Sequence, residues 1–461
     1  MSKIHFIGIK GVGMAALAVL AKEMGHEVSG SDIEDSFVTD EILAQAGITA
    51  TAFSANNINN QIDLAVLSAA FGKDNEEVKE VKKKHLEIKL YSEALAYFSK
   101  EKQVIAVAGI HGKTTTAAMI AWILTKANFD PSYLVGAGML KNLHNNAHFG
   151  SGEYFVVEAD EYRKSPEDKT SKFLDLTPKI EVISSIEMDH PDMFLTEEDV
   201  YEVFYKFACR LPRNGFIVLG LDYPKARKLH RSLVDRKFET YGFADDAAWK
   251  IVEITENPAE TKFFLETKNE KYGPYKILLP GNGNILNATA CIIVTKKIGI
   301  EDALIKKYLE QFTGVKRRFE IIGKKGKVKV IDDYAHHPRS LKITLEAARL
   351  KYPKAKIWCI FQPHTYSRTK KLLAEFATSF NDADKVFITD IYASAREEDA
   401  TINSQDLVDA IKEHRKSVKY VNNWDKILEE IVEGIEGETV IITIGAGDIY
   451  KLGLKIFEKL K

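Results

Sequence analysis

The stretch at residues 103–118, QVIAVAGIHGKTTTAA, constrains the fold of this chain more than any other part of it. The apolar, β-branched run at 104–107 indicates a buried strand, and an apolar helical pattern follows at 117–124. Between them lie Gly109, Gly112, Lys113 and three threonines. This order is the one needed to bind a polyphosphate, because glycines let backbone N–H groups approach the oxygens and the helix N-terminus adds partial positive charge.

The side chains of this loop predict its ligands. Lys113 is predicted to bind the outer phosphates and Thr114 to hold Mg²⁺. The other loop positions predicted to contact a nucleotide are Gly109, His111, Gly112 and Thr115. A standard Walker A loop has a glycine at position 107, where this chain has Val107, so the loop is shorter than the standard one. The alternative is an ordinary strand-to-helix turn with an unrelated lysine.

The length of 461 residues is too great for one ordinary core, and two to four domains are expected. Strands alternate with helical patterns throughout, which predicts an α/β protein with parallel sheets. We predict domains at 1–99, 100–313 and 314–461, the third doubly wound like the first. Alternating apolar and polar residues at 250–279 predict antiparallel strands added to the second domain, and the charged residues 73–84 predict a solvated helix face.

Composition excludes several classes of protein. A hydrophobic content of 45% and a charged content of 28% are typical of a soluble globular protein, and no apolar run approaches the roughly 18 residues that span a bilayer. A net charge of −2 predicts neither a nucleic-acid partner nor a membrane surface. Three isolated cysteines favour a reducing compartment, and the N-terminus runs into a strand without a signal segment, so we expect a cytoplasmic protein.

A second glycine run, Gly11 and Gly13, follows the first predicted strand, and Asp32 lies about 20 residues further on. This is the dinucleotide-binding pattern, which taken alone indicates a nicotinamide-dependent dehydrogenase. The same geometry can hold the diphosphate of any nucleotide-linked ligand, or it can be a tight turn without a ligand. All three interpretations remain open at this point.

Carboxylates end the predicted strand that follows the phosphate loop, in the sequence FVVEADE at 155–161. Glu158 and the Thr114 hydroxyl are a suitable pair for Mg²⁺, which takes hard oxygen ligands. His190 follows Asp189 at the end of the next strand, and this pair can supply a ligand for a second metal. The alternatives are a surface acid cluster for Glu158 and a capping or core histidine for His190.

Charged residues also mark the start of the third predicted domain. The basic run KRRF at 316–319 can swing onto a terminal phosphate as domains close, or it can be a solvated turn. The sequence IDDYAHHP at 331–338 places two acids and two histidines at a strand end, where adjacent spacing without cysteine argues against zinc and favours proton handling near a nucleophilic amine. Arg368 can form a forked pair with a carboxylate, or it can be a surface arginine.

Taken in order, these motifs resemble those of the Mur ligases of peptidoglycan synthesis. The resemblance covers nearly the whole chain and rests on IHFIGIKGVGM, GIHGKTTT, EADE, the Asp-His pair, LPGNGNILNA, GVKRRFE, DDYAHHP, FQPHTYSRT and the final GAGD. It implies a Rossmann-like N-terminal domain for a UDP-sugar, a P-loop ATPase-like central domain and a Rossmann-like C-terminal domain for the incoming amine. It also argues strongly against the nicotinamide interpretation, and it leaves a monomer or a homodimer open.

The resemblance implies an amide-forming reaction with ATP and Mg²⁺. ATP phosphorylates a carboxylate of a UDP-N-acetylmuramoyl substrate, an amine attacks the acyl phosphate, and phosphate leaves. The implied catalytic residues are Lys113, Glu158, His190, Arg318 and Asp333. The implied nucleotide contacts include Asn284, Asn287 and Arg318, and the metal ligands are Thr114, Glu158 and His190. The implied substrate contacts are Gly11, Gly13, Met14, Ser31, Asp32, Ser68, His336, His364 and Arg368.

The choice of amine is divided between two kinds of family member. The C-terminal motifs are similar to those of members that add L-alanine, and the central sequence at 161–194 resembles members that recycle a murein tripeptide. Both kinds activate the same lactyl carboxylate, so we weight the C-terminal domain more and favour L-alanine. Gly283 and Thr365 replace a usual histidine and a usual arginine, and the insert at 163–172 is long and can reshape the sugar pocket.

Overall fold

The computed structural model describes residues 1–137, 140–143, 145–393, 401–415 and 417–460. Three separate sheets form it, and each sheet takes its strands from one contiguous part of the chain. The prediction of an α/β protein with three such units is confirmed. No described helix has both the length and the apolar character needed to cross a membrane.

The first sheet has five parallel strands in the order β3-β2-β1-β4-β5. The apolar residues of its strands are buried because helices cover both faces. Its strands are β1 (Lys3–Ile7), β2 (Glu27–Asp32), β3 (Ala50–Ala52), β4 (Leu64–Leu67) and β5 (Glu87–Leu90). Its helices are α1 (Val12–Glu23), α2 (Asp40–Gln45), α3 (Glu76–Lys83) and α4 (Tyr91–Ser99).

The second sheet has ten strands in the order β15-β14-β13-β12-β11-β10-β6-β9-β7-β8. Its core strands are parallel, and the predicted antiparallel strands β13 to β15 extend one edge. The strands are β6 (Gln103–Ala108), β7 (Ser132–Leu134), β8 (Ala147–His148), β9 (Tyr154–Glu158), β10 (Ile180–Ile183), β11 (Phe216–Gly220), β12 (Phe238–Gly242), β13 (Trp249–Glu256), β14 (Thr261–Glu266) and β15 (Lys271–Ile277). The helices are α5 (Lys113–Lys126), α6 (Glu197–Cys209), α7 (Pro224–Ser232), α8 (Asn282–Ile298) and α9 (Asp302–Leu309).

The third sheet has six strands in the order β16-β17-β21-β18-β19-β20, of which only β16 is antiparallel to its neighbour. The strands are β16 (Glu320–Lys325), β17 (Val328–Asp333), β18 (Lys356–Phe361), β19 (Lys385–Ile388), β20 (Val418–Tyr420) and β21 (Thr439–Ile444). The helices are α10 (Pro338–Lys351), α11 (Tyr366–Lys371), α12 (Leu373–Ala377), α13 (Ser404–Lys412), α14 (Trp424–Gly434) and α15 (Tyr450–Lys459). The carboxyl ends of its parallel strands lie at one edge, where doubly wound sheets bind ligands.

The charged segment at 73–84 differs from its prediction. Helix α3 is solvated on most of its surface, but Glu77 is completely buried against β1 and β2. Its carboxylate lies 3.4 Å from Nε2 of His5 and accepts hydrogen bonds from Ser31 and from Asn57 at 2.7 Å. Burial raises the pKa of Glu77, and these hydrogen bonds outweigh burial and lower it. One residue of this charged run is therefore part of the interior, where it is hydrogen-bonded, and does not belong to the solvated face.

A second buried carboxyl group lies in the middle of the central sheet. Glu181 is on β10, fully buried, and neither of its carboxylate oxygens has a hydrogen-bond partner among the described residues. Burial raises the pKa of Glu181 to about 8, although Arg236 acts in the opposite direction. Because the folded state favours the neutral acid, Glu181 destabilises the folded protein at any pH at which its carboxyl group is ionised in the unfolded chain.

Replacing Glu181 with Leu is expected to remove a pH dependence of stability. Below the pKa of the unfolded chain, near the ordinary 4.5, Glu181 is neutral in both states and the free energy of unfolding does not depend on its titration. As pH rises from there towards the folded pKa of about 8, the unfolded state alone ionises and the free energy of unfolding falls. By pH 7 the variant should therefore be more stable than the wild type by on the order of 3 kcal/mol. Urea unfolding at pH 5 and pH 7.5, monitored by hydrogen exchange of the β10 amides, measures how the free energy of unfolding changes with pH. Glu266→Gln, at an exposed position of the same sheet, is the control, and an unchanged slope in Glu181→Leu would contradict this prediction.

Candidate active site

A cavity of about 1150 Å³ lies where the three sheets meet. The central part of the chain lines it with the phosphate loop, with acids that follow β9 and with the start of α8. The third part lines it with Arg318 and with the residues after β17 and β18, and the first part contributes Val12, Gly13 and Tyr91. Groups that are distant in sequence therefore face one space.

The phosphate loop needs both of its glycines. Gly109 and Gly112 have φ values of +126° and +81°, which side chains rarely adopt. A Cβ at Gly109 would lie 2.2 Å from Oγ of Ser184, and one at Gly112 would lie 2.1 Å from Oδ1 of Asn287. Helix α5 begins immediately afterwards at Lys113, so its N-terminal N–H groups border the cavity as predicted.

Lys113 is paired with a carboxylate that the sequence prediction left out. Its Nζ donates to both oxygens of Glu161, at 2.8 and 3.0 Å, and Glu161 is almost fully buried. Burial would lower the pKa of Lys113, but the charges of Glu161, Asp160 and Glu158 outweigh burial and raise it. The lysine is thus fully charged where a phosphate would meet it.

The predicted Mg²⁺ ligands Thr114 and Glu158 lie next to the basic run at 316–319 in the structure. The Thr114 hydroxyl donates to Oε1 of Glu158 at 3.1 Å, and Nη2 of Arg318 donates to Thr114 Oγ1 at 3.2 Å. Glu158 also accepts a hydrogen bond from the N–H of Gly136 at 2.8 Å. Hydroxyl and carboxylate oxygens are the donors that Mg²⁺ prefers, so these residues fit that ion. Arg318, at the start of the third part of the chain, therefore contacts the phosphate loop of the central part.

His190 lies beside two acids that sequence reasoning did not single out as ligands. Ligand atoms of Asp160, Glu161 and His190 all lie within 4.8 Å of one another. The ring of His190 packs against Tyr162, with centroids 4.6 Å apart. Asp160 and Glu161 belong to the same acidic strand end as Glu158, so the signal for them was present in the sequence.

The two predicted asparagines line the cavity at the start of α8. Oδ1 of Asn287 accepts a hydrogen bond from the Thr116 hydroxyl at 3.2 Å, which fixes the helix against the phosphate loop. Asn284 donates to the carbonyl of Pro280 at 2.8 Å. Gly283 also lines the cavity, where the implied histidine would stand.

Asp333 holds the end of the basic run at 316–319 through hydrogen bonds from backbone groups. Its carboxylate accepts hydrogen bonds from the N–H groups of Phe319 and Ala335, both at 2.7 Å. Burial raises the pKa of Asp333, with Arg318 acting against it. Arg317 turns away from the phosphate loop and pairs with Asp332 at 3.1 Å. Asp333 therefore holds the chain segment that carries Arg318.

The predicted amine-binding residues lie close together, but Arg368 already has a partner. Its guanidinium contacts Oδ1 of Asp189 through two nitrogens, each at 2.9 Å, and both side chains are buried. The rings of His336 and His364 have centroids 5.8 Å apart, and Arg368 lies 3.3 Å from Nδ1 of His364. Arg368 is predicted to bind a substrate carboxylate, but in the structure its guanidinium already pairs with the carboxylate of Asp189 in the central part of the chain.

A second contact between the central and third parts was missed by sequence reasoning. Nε2 of His111 lies 2.8 Å from Glu187, and Nδ1 lies 3.0 Å from the hydroxyl of Ser340. Glu187 also accepts a hydrogen bond from Arg339 at 2.5 Å. Nε2 of His337 lies 3.1 Å from the carbonyl oxygen of Met188. These contacts tie the phosphate loop to the start of α10.

Of the six residues predicted to bind substrate in the first part, Gly13 alone lines the cavity. Its missing Cβ leaves room for Tyr91, whose ring atoms would lie 3.0 Å from such an atom. The side chains of Met14 and Ser31 are buried, the first in the apolar core and the second against Glu77, so their placement does not support contact with a substrate. Gly11 precedes α1, the Asp32 carboxylate accepts a hydrogen bond from the N–H of Lys10 at 2.7 Å, and the Ser68 hydroxyl accepts one from the N–H of Ala70 at 3.3 Å.

Comparisons with known proteins cover all three parts. Residues 3–103 match the family described as "Mur ligase family, catalytic domain", residues 107–295 match "Mur ligase middle domain", and residues 317–447 match "Mur ligase, glutamate ligase domain". A UDP-N-acetylmuramate–L-alanine ligase of Caldanaerobacter subterraneus is 39% identical over 461 residues, which are 100% of this chain and 98% of the relative. The chain belongs to the Mur ligase family. Its dinucleotide-like glycine run is therefore not that of a dehydrogenase.

Other relatives of this Mur ligase have the same extent. A UDP-N-acetylmuramate–L-alanine ligase of Desulfitobacterium hafniense is 37% identical, covering 98% of each chain. The crystal structure of UDP-N-acetylmuramate–alanine ligase from Thermotoga maritima is similar with a TM-score of 0.83 and 27% identity, covering 100% of this chain and 99% of that one. A murein peptide ligase from Psychrobacter arcticus has a TM-score of 0.74 and 25% identity, with the same coverage.

The insert of this Mur ligase at 163–172 lies against the first part of the chain. The backbone N–H of Lys73 donates to Oε1 of Glu167 at 3.4 Å, and a Cβ at Gly72 would lie 2.5 Å from the same oxygen. Lys172, at the end of the insert, donates to Asp160 at 2.6 Å. The insert therefore connects the first sheet with the acids of the cavity.

Proposed function

We propose that this Mur ligase joins L-alanine to the lactyl carboxylate of UDP-N-acetylmuramate, with ATP converted to ADP and phosphate. The observation that carries the proposal is full-length identity of 34% to 39% with eight UDP-N-acetylmuramate–L-alanine ligases. The cavity agrees with it, because the phosphate loop and the third part's histidines line one space. Amide formation by way of an acyl phosphate needs these groups together.

The three parts of the chain have separate tasks in this proposal. Residues 1–99 bind the UDP-sugar, residues 100–313 bind ATP, and residues 314–461 bind the amino acid. We further propose a cytoplasmic enzyme, monomeric or homodimeric, that acts on small molecules without a nucleic-acid or membrane partner.

The first chemical step brings two anions together. Two unit charges about 4 Å apart repel by roughly 4 kcal/mol at an intermediate effective dielectric, so carboxylate and triphosphate must be neutralised. Arg318 reaches Thr114 from the third part of the chain, beside the start of the helix that carries Lys113, so these two residues bring positive charge to the phosphate loop. Asp333 keeps Arg318 in place through the backbone of Phe319.

Mg²⁺ is part of the proposal. Thr114 and Glu158 would hold it by the phosphates, with His190 as a further ligand. When bound, it would neutralise phosphate charge and help to align the transferred group.

The second step requires a neutral amine. An amino acid carries an ammonium group near pH 7, which must lose a proton before it can attack. Burial, with Arg368 adding to it, holds the pKa of His336 well below its usual range, so the ring is neutral. Nδ1 of His336 lies 2.9 Å from the carbonyl oxygen of Tyr334 and therefore carries the ring proton, which leaves Nε2 as an acceptor. Nε2 of His336 can therefore accept a hydrogen bond from the amine and orient it, whereas uptake of the proton itself is disfavoured because burial destabilises the charged ring.

The alternative acceptor is L-Ala-γ-D-Glu-meso-diaminopimelate, since the structure is also similar to a murein peptide ligase over the whole chain. Purified protein with ATP, Mg²⁺ and UDP-N-acetylmuramate should release phosphate only when an acceptor is added. We expect kcat/KM for L-alanine to exceed that for glycine and L-serine by about tenfold or more, because one methyl or hydroxyl group changes pocket binding by about 1 to 3 kcal/mol. The tripeptide should also react more slowly than L-alanine.

Coupled phosphate assays with the four acceptors side by side measure this preference. Phosphate release without any acceptor would show that the turnover is simple ATP hydrolysis. A preference for the tripeptide would replace L-alanine by the alternative, and equal rates would show that the third part does not select the amine.

A further inference from the structure

We infer that Arg317 is a positioning residue that holds Arg318 against the phosphate loop and connects it with the loop at 445–448, here called the GAGD loop. The inference rests on the proposed function, because the position of Arg318 affects binding only if ATP occupies the phosphate loop. Arg317 was predicted only as part of the basic run at 316–319. Its guanidinium turns away from the phosphate loop, so its part is to place other groups.

Arg318 lies between two residues whose backbone is in the left-handed region. The φ values of Arg317 and Phe319 are +60° and +47°. Residues with a Cβ rarely adopt this conformation, and it persists only where the surrounding contacts hold it firmly. The direction in which Arg318 points therefore depends on the contacts that hold its two neighbours.

The contacts of Arg317 anchor this backbone to the interior of the third sheet. Its N–H donates to Glu320 at 2.8 Å, and its carbonyl oxygen accepts from the N–H of Tyr334 at 2.7 Å. Nε of its side chain donates to Oδ2 of Asp332 at 3.1 Å, and the Thr443 hydroxyl donates to the other oxygen of Asp332 at 2.7 Å. The Asp332 side chain is 2% exposed, so it is a fixed partner. Without the guanidinium, residue 317 would lose its side-chain anchor and return to the negative φ that is ordinarily favoured.

The same guanidinium also contacts the GAGD loop, which follows β21. Nη2 of Arg317 donates to the carbonyl oxygen of Gly445 at 2.7 Å. The group lies against the rings of Tyr334 and Tyr450, at 4.9 and 4.6 Å from their centroids. A guanidinium is a rigid, planar fork, so its contacts through Nε and Nη2 fix the positions of Asp332 and Gly445 relative to each other. Arg317 therefore joins the segment that carries Arg318 to the GAGD loop.

The GAGD loop borders the side of the cavity where the amine is proposed to bind. Ala446 lines the cavity. A Cβ at Gly447 would lie 2.7 Å from Cγ of Tyr392, and the ring of Tyr392 stacks on His364 with centroids 5.7 Å apart. A shift of this loop would therefore change the space beside His364. Through Arg317, the ATP side and the amine side of the cavity share one anchor.

Binding of a non-hydrolysable ATP analogue with Mg²⁺ tests the link to Arg318 without turnover. In isothermal titration calorimetry, the dissociation constant should rise about tenfold in Arg318→Met and nearly as much in Arg317→Met, since loss of a charge-assisted contact has about that effect. Because Arg317 acts through Arg318, Arg317→Met/Arg318→Met should bind within about twofold of Arg318→Met alone. If the two effects multiplied, or if Arg317→Met bound like the wild type, the inference would be overturned.

Lys329→Met is the matched control for these measurements. Lys329 lies near the start of the same strand, β17, where it pairs with Glu438 at 3.0 Å and contacts the ring of Tyr352. The substitution removes the same kinds of contact as Arg317→Met and should leave the affinity for the analogue unchanged. An equal loss of affinity in Lys329→Met would attribute the effect of Arg317→Met to general loss of packing and overturn the inference. A wild type that does not bind the analogue would instead refute the proposed function, and this inference with it.

A second variant separates the position of Arg318 from the stability of the fold. Arg317→Met leaves the buried carboxylate of Asp332 without its cation, which destabilises the third part of the chain. Arg317→Met/Asp332→Asn removes both charges and should recover the thermal unfolding temperature, while the affinity for the analogue stays about tenfold weakened. Wild-type affinity in this variant would show that Arg317 serves only to neutralise Asp332, which would overturn the inference.

Arg317→Lys tests the link to the GAGD loop. A lysine keeps a positive charge on Asp332 but has no planar fork with which to hold Gly445 as well. We expect the affinity for the analogue and kcat to remain within about twofold of the wild type, because the charge pair still anchors the backbone. The KM for the amine that the enzyme uses should rise at least about threefold, since the GAGD loop is released. An unchanged KM would refute the link between Arg317 and the amine side of the cavity.

Discussion

Lys113→Ala is expected to lower kcat for amide formation by roughly 10³-fold, the upper end of the loss for removing one preorganised group that stabilises transition-state charge. Lys113 is the cation at the start of α5, and the neighbouring acids raise its pKa, so it is fully charged at any working pH. The measurement is ATP-dependent phosphate release with UDP-N-acetylmuramate and saturating L-alanine. Lys126→Ala, at the exposed far end of the same helix, should retain wild-type activity.

A loss of activity in Lys113→Ala has two possible physical origins. The substitution removes the phosphate-binding charge, and it also leaves the buried carboxylate of Glu161 unpaired. The double variant Lys113→Ala/Glu161→Gln separates them, because it removes both charges and should recover thermal stability without recovering activity. Turnover near the wild-type value in either variant would refute the phosphate-binding role of Lys113.

Arg368→Met is expected to weaken the contact between the central and third parts by up to roughly 3 to 5 kcal/mol, the cost of leaving a buried charge without its partner. Asp189 is that charge. Burial raises its pKa, but the charge of Arg368 outweighs burial and holds the pKa well below its usual range, so it remains ionised. Because the pair joins two parts of the chain, water can reach Asp189 once the parts separate. Small-angle scattering should therefore show a larger radius of gyration, and thermal unfolding should begin at a lower temperature.

The matched control removes both charges of this pair. Arg368→Met/Asp189→Asn should return the radius of gyration and most of the thermal stability towards wild-type values, since neither side chain is then a buried ion. If Arg368 also serves the amino acid, the double variant should still have a raised KM for L-alanine. A single variant with wild-type scattering and unfolding would show that the pair does not hold the two parts together.

Local features were predictable from the sequence because they depend on neighbouring residues. The glycines at 109 and 112 indicated a turn that only glycine adopts, and the structure gives both positive φ values. The alternation at 250–279 indicated the three antiparallel strands at the edge of the central sheet. The Thr114 and Glu158 pair was also predictable, because Thr114 lies at the start of the helix that follows β6, Glu158 ends β9, and these two parallel strands are neighbours in one sheet.

Partners across the cavity were not predictable in the same way. The sequence indicated that Arg368 takes a carboxylate, but it gave no means of knowing that Asp189, 179 positions away, supplies it. The contact of His111 with Glu187 and Ser340 was missed for the same reason. Ser31 lies in a strand end that looks suited to a ligand, yet the packing of α3 places Glu77 on it.

The sequence by itself determined a glycine turn at residues 109–114 between a buried strand and a helix, within a chain of α/β units, and it predicted a polyphosphate there. Backbone conformation and hydrophobic periodicity are local properties, and a few consecutive residues are enough to specify them. Only the tertiary structure decided which polar groups meet: Lys113 with Glu161, Arg368 with Asp189, and Arg318 with the Thr114 hydroxyl. Those pairings depend on how three sheets pack around one cavity, because electrostatic partners are selected by distance in space and by burial.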